Sequence, residues 1–399
     1  ANLLTMYNMP NLVASSLTWE RIRTTDIGID LGFLNNELMV GFDWYQRENR
    51  DMLAPSKVLP QVLGADAPVS NAGTLRTRGW EFTVDWHHRF GDFNVYANFN
   101  LSDSRTKVTK WDNPSMLLNT NYSGKTYGDI WGFETDRYFE ESDFTGKNPD
   151  GTWNYAAGIA SQKGLEQGSF HYGPGDVKYK DLDGSGVIDG GKGTANNHGD
   201  LKVIGNFLPR YEYSFHLGGT WKGIDLDLFF QGVGKRDSWT VSSMNFPLMR
   251  DADLALYAHQ TSYNKVNFTA DYKTITGYEI NQNNKYPRLF PGNDPKGTIS
   301  GIDNGTNNYY PQTRYLTDMS YLRLKNVTLG YTLPAELTRK AYIQKARIYF
   351  SASNLFLLHK GNDLPVDPEI STGAGLAYGG WGRTAPITRT FSFGMQVTL

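Results

Sequence analysis

Apolar and polar residues alternate with a period of two along much of the chain. At its end, Phe391, Phe393, Met395, Val397 and Leu399 are separated by Ser392, Gly394, Gln396 and Thr398. Successive side chains of a strand point to opposite faces, so this pattern predicts a strand with one apolar face. Tyr211, Tyr213, Phe215, Leu217 and Trp221 mark a similar face, and after Lys222-Gly223 the pattern resumes at Ile224, Leu226, Leu228 and Phe230. A two-residue turn between alternating segments is a hairpin signal. A second hairpin joins Trp80, Phe82, Val84 and Trp86 to Phe93, Val95, Ala97, Phe99 and Leu101 across 89–92. A third joins Ile27, Ile29, Leu31 and Phe33 to Leu38, Val40, Phe42 and Trp44 across 34–37. Val327, Leu329 and Tyr331, a Pro334-initiated turn of helical character, and then Ile348, Phe350 and Ala352 bring the predicted strands to nine.

The connections carry more information than the strands. Short ones (34–37, 89–92, 222–223, 333–345) alternate with long ones (47–78, 104–210, 235–319, 357–385). A soluble β-sandwich or jelly roll also shows half-apolar alternation, with the apolar face as its core. It has no reason to gather every long loop at one end, whereas outer-membrane barrels pair short periplasmic turns with long extracellular loops. The predicted fold class is therefore all-β, a transmembrane antiparallel β-barrel. Trp44, Tyr45, Trp80, Trp86, Trp221 and Tyr331, near strand ends, suit the aromatic girdles of such a barrel.

Composition changes this picture little. The 39 Lys plus Arg against 41 Asp plus Glu give no general attraction to nucleic acid. The absence of Cys excludes a disulfide scaffold, a thiolate metal site and a Cys nucleophile. The chain is rich in aromatics, with 24 Tyr, 21 Phe and 10 Trp, yet its mean hydropathy is −0.50. No apolar run is long enough for a transmembrane helix, but a membrane strand needs only about 9–11 alternating residues and leaves a weak hydropathy trace. The start, Ala1-Asn2-Leu3-Leu4, shows neither an initiator Met nor a leader, so the chain is expected to be a piece of a longer precursor.

A set of phrases, in order along the chain, resembles the C-terminal half of the SusC/RagA family of TonB-dependent transporters from Bacteroidetes. They begin with Leu17-Thr18-Trp19-Glu20, Asn71-Ala72-Gly73, Arg78-Gly79-Trp80-Glu81 and Trp131-Gly132-Phe133-Glu134-Thr135-Asp136. Gly175-Asp176-Val177-Lys178-Tyr179-Lys180-Asp181, Val203-Ile204-Gly205-Asn206 and Phe230-Gln231-Gly232-Val233-Gly234-Lys235-Arg236-Asp237 follow. Ser320-Tyr321-Leu322-Arg323-Leu324-Lys325-Asn326-Val327, Ser353-Asn354-Leu355-Phe356 and Phe391-Ser392-Phe393-Gly394 complete the set. The resemblance implies that 1–399 is the C-terminal part of a 22-stranded barrel, with the N-terminal plug and the TonB-contacting segment outside this chain. It implies an outer-membrane importer of oligosaccharides, with peptides as the alternative cargo, working with a SusD-like surface lipoprotein and with TonB. A non-transporting, surface glycan-binding β module is the competing reading. The loops 104–210 and 235–319 are expected, by position, to meet the lipoprotein.

Few constellations point to chemistry. Asp181, Asp183, Ser185, Val187 (through its carbonyl) and Asp189 have the spacing of an EF-hand or dockerin-like Ca²⁺ loop, with Gly186 at position 6 and apolar Ile188 at position 8. Position 12 is Lys192, which cannot coordinate a cation, and Asp200 replaces it only if the loop folds back. A bound ion would order the loop. The alternative is a polar Asp/Gly turn without an ion. His87-His88 should face opposite sides of a strand and form no metal pair. Asp251, Asp253, Asp367 and Glu369 supply carboxylates, but no enzymatic activity is expected. Thr372-Gly373-Ala374-Gly375 lacks the Lys and helix of a phosphate loop. Trp131, Trp153, Tyr155, Tyr309, Tyr310 and Trp381 either stack on sugar rings or pack the loops together.

Overall fold

The computed structural model describes residues 17–55, 69–166, 170–239, 262–271, 274–288, 307–369 and 387–399. Nine strands form one antiparallel sheet in which every strand pairs with its neighbours in sequence. They are β1 (Arg21–Phe33), β2 (Leu38–Pro55), β3 (Val69–Phe90), β4 (Phe93–Trp111), β5 (Arg210–Trp221), β6 (Ile224–Lys235), β7 (Tyr321–Thr332), β8 (Lys345–Lys360) and β9 (Thr390–Thr398). The four short turns stand where the alternation places them. Lys222 and Gly223 both take positive φ, 47° and 88°, which matches a two-residue turn to the twist of its strands. A short helix, Ala335–Thr338, follows Pro334 as expected.

The register makes the two faces of the sheet chemically distinct. Phe33, Leu38, Trp86, Ala97, Leu217, Leu228, Val327, Ala352 and Phe391 are successive cross-strand partners, so one apolar row crosses all nine strands. Rings add to it: Phe99 and Phe215 lie 5.0 Å apart, as do Phe350 and Phe393. On the opposite face Asp30, Gly41, Thr83, Asn100, Ser214, Gln231 and Arg323 form a row without an apolar side chain across the first seven strands. Among the described residues nothing covers the apolar face, and Phe393 is 84% exposed and Met395 68%. A soluble sandwich would bury this face. The buried hydrophobic cluster lies instead in the loops, around Tyr138, Phe139, Tyr172 and Tyr179.

Three strands run well beyond the expected boundaries. β2 reaches Pro55, β3 starts at Val69 and β4 reaches Trp111, so the connections expected at 47–78 and from 104 begin inside paired strand. Backbone pairing continues where Gln46, Arg78 and Arg105 and the row beyond them replace apolar residues on the outward face, and there the apolar alternation that marks a strand disappears. The long connections are also not plain loops. They carry their own ribbons: 129–133 with 201–206, 135–138 with 177–179, 144–147 with 153–155, and 265–268 with 275–279.

Candidate functional site

At the long-loop end, parts of both large connections fold together over the sheet. Phe133, Tyr138, Phe139, Phe144, Tyr172 and Tyr179 of the first pack with Tyr286, Tyr309 and Tyr315 of the second. Burial pushes the Tyr179 and Tyr309 phenols well above their ordinary value, so they stay neutral hydrogen-bonding groups. A buried polar junction locks the two connections. The Asp176 carboxylate accepts from Arg288 Nε (2.9 Å), Asn308 Nδ2 (2.9 Å) and the Gly173 amide (2.9 Å). Asn308 Oδ1 in turn accepts the Val177 amide at 2.7 Å. A charge this deeply buried is tolerable only because every partner is in place. Spacing offered no hint of this junction, since its partners lie 112 and 132 residues from Asp176.

The family phrases meet one another here as structural ties. Glu134 bonds Lys180 and Lys202, Asp136 bonds Lys178 (2.6 Å), and the Phe133 and Tyr179 rings stack at 4.9 Å. The two lysines hold the Glu134 carboxyl below its usual range. Asn206 donates its amide to Asp237 (3.0 Å), and Asn71 Nδ2 donates to the carbonyls of Thr18 (2.9 Å) and Asp51 (2.6 Å). Gly132 sits against the Pro311 carbonyl, where an added Cβ would collide with backbone, and the Phe133 amide donates to that carbonyl at 2.8 Å.

The loop read as a Ca²⁺ site is built around Asp200. The Asp200 amide donates to the Asp189 carbonyl (2.9 Å), so the chain does fold back after a turn at 190–199. Carboxylate oxygens of Asp181, Asp183 and Asp200 lie within 4.8 Å of one another. Asp200 is fully buried and also accepts amides of Leu182 (2.6 Å) and Asp189 (2.9 Å). Ser185 Oγ lies 2.9 Å from the Val187 carbonyl, which keeps positions 5 and 7 adjacent. Asp189 does not join the carboxylate group; its side chain accepts the Gly191 amide at 2.7 Å. Ile188 is buried in the aromatic cluster, anchoring the loop as its position 8 suggested.

Several of the other candidates take part in packing or ion pairs. Tyr309 is buried, and Trp153, Tyr155 and Tyr310 pack against the cluster. Asp367 bonds Arg323, and Glu369 bonds Lys325 and lies 3.1 Å from Arg323. These ties hold the segment after β8 against β7. His88 pairs with Glu37 at 2.7 Å, and alternation puts His87 on the other face of β3. Asp251, Asp253, the 372–375 segment and Trp381 lie outside the described residues.

Comparison with known proteins agrees with this architecture. The profile of the family described as TonB dependent receptor-like, beta-barrel matches residues 2–283. TonB-dependent receptor P3 of Formosa agariphila is 28% identical over 96% of this chain and 34% of its own length. TonB-dependent receptor SusC of Bacteroides thetaiotaomicron is 24% identical over 91% of this chain and 31% of its own length. The chain thus spans about a third of the curated relatives it matches. The structure of the RagAB peptide transporter superimposes with a TM-score of 0.64 at 20% identity, covering 98% of this chain and 36% of that one. With an exposed apolar face, a polar reverse face and long loops at one end, the chain belongs to the TonB-dependent receptor β-barrel family of the outer membrane.

Proposed function

We propose that this chain is the C-terminal wall and part of the extracellular mouth of a TonB-dependent importer of oligosaccharides. The observation that carries the reading is the polar reverse face of the sheet. Asn98 and Asp85 bond each other there (2.5 Å), and Asn100 lies 3.3 Å from Ser214 Oγ. Amide, carboxylate and hydroxyl groups in rows complement the hydroxyls of a sugar chain passing along the wall. A plug and a TonB-contacting segment would come from the remainder of the protein, and a SusD-like lipoprotein would cover the folded loops. Peptide is the second cargo reading, favoured by the likeness to a peptide transporter. Deleting the full-length gene and measuring uptake of oligosaccharides and of peptides tests both. Loss of oligosaccharide uptake alone supports the first, and loss of peptide uptake alone replaces it with the second.

The Asp181–Asp189 loop is part of the same reading. Ca²⁺ held by Asp181, Asp183, Ser185, the Val187 carbonyl and Asp200 would stiffen the folded loops. The support is the spacing of the motif together with the Asp200 carboxylate lying within 4.8 Å of those of Asp181 and Asp183.

A further inference from the structure

Above the apolar band, on the same outward face of the sheet, the cross-strand rows turn cationic. Ile27, Trp44 and Trp80 are successive partners and mark the upper edge of the band. Two residues further along, about 7 Å of strand, the partners are Thr25, Gln46, Arg78 and Arg105. The next outward row is Arg23, Glu48, Arg76 and Lys107, and above it Arg21 faces Arg50. Three pairs therefore set like charges directly opposite each other: Arg78 with Arg105, Arg76 with Lys107, and Arg21 with Arg50. Such pairs destabilise a sheet unless an anion relieves them.

The protein relieves only part of this repulsion. Glu48 is shared by Arg50 and Arg76, the latter at 2.6 Å, and Asp51 takes Arg21 at 2.6 Å. Asp103 is taken by Arg210. Among the described residues, Arg78 bonds the neutral Gln46 Oε1, at 2.8 Å. Among the described residues, no carboxylate lies within ion-pair distance of Arg78, Arg105 or Lys107, and Asp129 acts on Arg105 through space without touching it. All three are exposed. Their height on the wall decides what meets them. A lipid whose chains cover Phe82, Phe99 and Leu101 brings its headgroup to the level of Arg78 and Arg105. Arginine forks match phosphate oxygens, and basic clusters at a membrane surface bind anionic headgroups.

We propose that Arg78, Arg105 and Lys107, with Arg76 beside them, form a binding site for the phosphate groups of an outer-leaflet lipid. The test uses the full-length transporter purified from its outer membrane in mild detergent, with bound lipid measured by native mass spectrometry and phosphate assay. The wild type should retain phosphorylated lipid. The triple variant R78Q/R105Q/K107Q should bind it on the order of a hundredfold more weakly, three surface cations having been removed. A control neutralising Lys222, Arg339 and Lys340, at the opposite end of the strands, should match the wild type. R78K/R105K retains the charge and should keep most of the lipid, so the comparison stands even if the triple variant assembles poorly. In a second arm the wild type is heated with a phosphorylated disaccharide lipid, with the same lipid dephosphorylated, and with inorganic phosphate. Stabilisation by the first alone supports the proposal. Equal lipid on wild type and triple variant, equal stabilisation by the dephosphorylated lipid, or stabilisation by inorganic phosphate alone would each overturn it.

Discussion

Arg347 of β8 bonds Asp225 of β6 across the intervening strand, with Nε 2.9 Å from Oδ1. The reach is open because Gly330 of β7 lies between them. A Cβ at Gly330 would fall 2.5 Å from both the guanidinium and the carboxylate. The pair fastens three strands at the short-turn end, beside the His88–Glu37 and His216–Asp227 pairs. Gly330→Val should break it and lower stability by about 1–3 kcal/mol, the scale of a lost hydrogen bond to a charged group. The midpoint of heat-modifiable migration of the full-length protein measures this, and an unchanged midpoint counts against the fastening.

Phe393 tests which medium covers the apolar face. Phe393→Asp should impair outer-membrane assembly by less than the ~2–4 kcal/mol of a basic residue at the bilayer midplane, and Phe393→Arg by that full amount. Ser392→Asp, one residue away on the polar face, should assemble nearly normally. Surface levels that are normal for both Phe393 variants would reverse the orientation of the wall.

Asp176 tests the junction between the long loops. Asp176→Leu leaves Arg288 buried without its counter-charge, a change that typically costs about 3–5 kcal/mol. The loops should become sensitive to protease while the barrel still migrates as a folded band. Protease resistance equal to the wild type would show that the aromatic cluster alone holds the loops.

Calcium binding is read by a titration of the metal-stripped full-length protein. Loop protection against protease should rise with Ca²⁺ in the wild type and not in Asp181→Asn. Asp189→Asn should retain most of the response, because that side chain faces Gly191 rather than the carboxylate group. A wild type indifferent to Ca²⁺ would show a loop held by its own hydrogen bonds.

Acid should loosen the loops partly through Glu134. Lys180 and Lys202 lower its folded-state pKa below the ordinary 4.5, so the unfolded chain binds a proton first as pH falls. The stabilisation is present in full above the ordinary value and disappears as pH drops through the lowered one. Glu134→Gln should flatten the acid limb of loop stability below about pH 4.5 and leave little pH dependence from this site above it. The same acid limb in wild type and variant would assign it to other carboxylates.

Sequence alone determined the wall. A period of two is a local property, and wherever one face of a strand meets hydrocarbon the pattern is written residue by residue, as from Phe93 to Leu101. Alternation of short and long connections then fixed which end carries the loops. It also gave the spacing from Asp181 to Ile188, because a turn of that kind is set by neighbours. Tertiary structure decided what depends on distant partners. The upper parts of β2, β3 and β4 lose the alternation because charged residues such as Glu48, Arg76 and Lys107 replace the apolar ones on the outward face, and only pairing with distant neighbours shows them to be strand. Asp176 finds Arg288 and Asn308 only after two connections have folded together, and Asp200 reaches Asp181 only after the 190–199 turn. The cationic rows appear only in the register, since Arg78 and Arg105 are separated by a whole hairpin until pairing places them side by side.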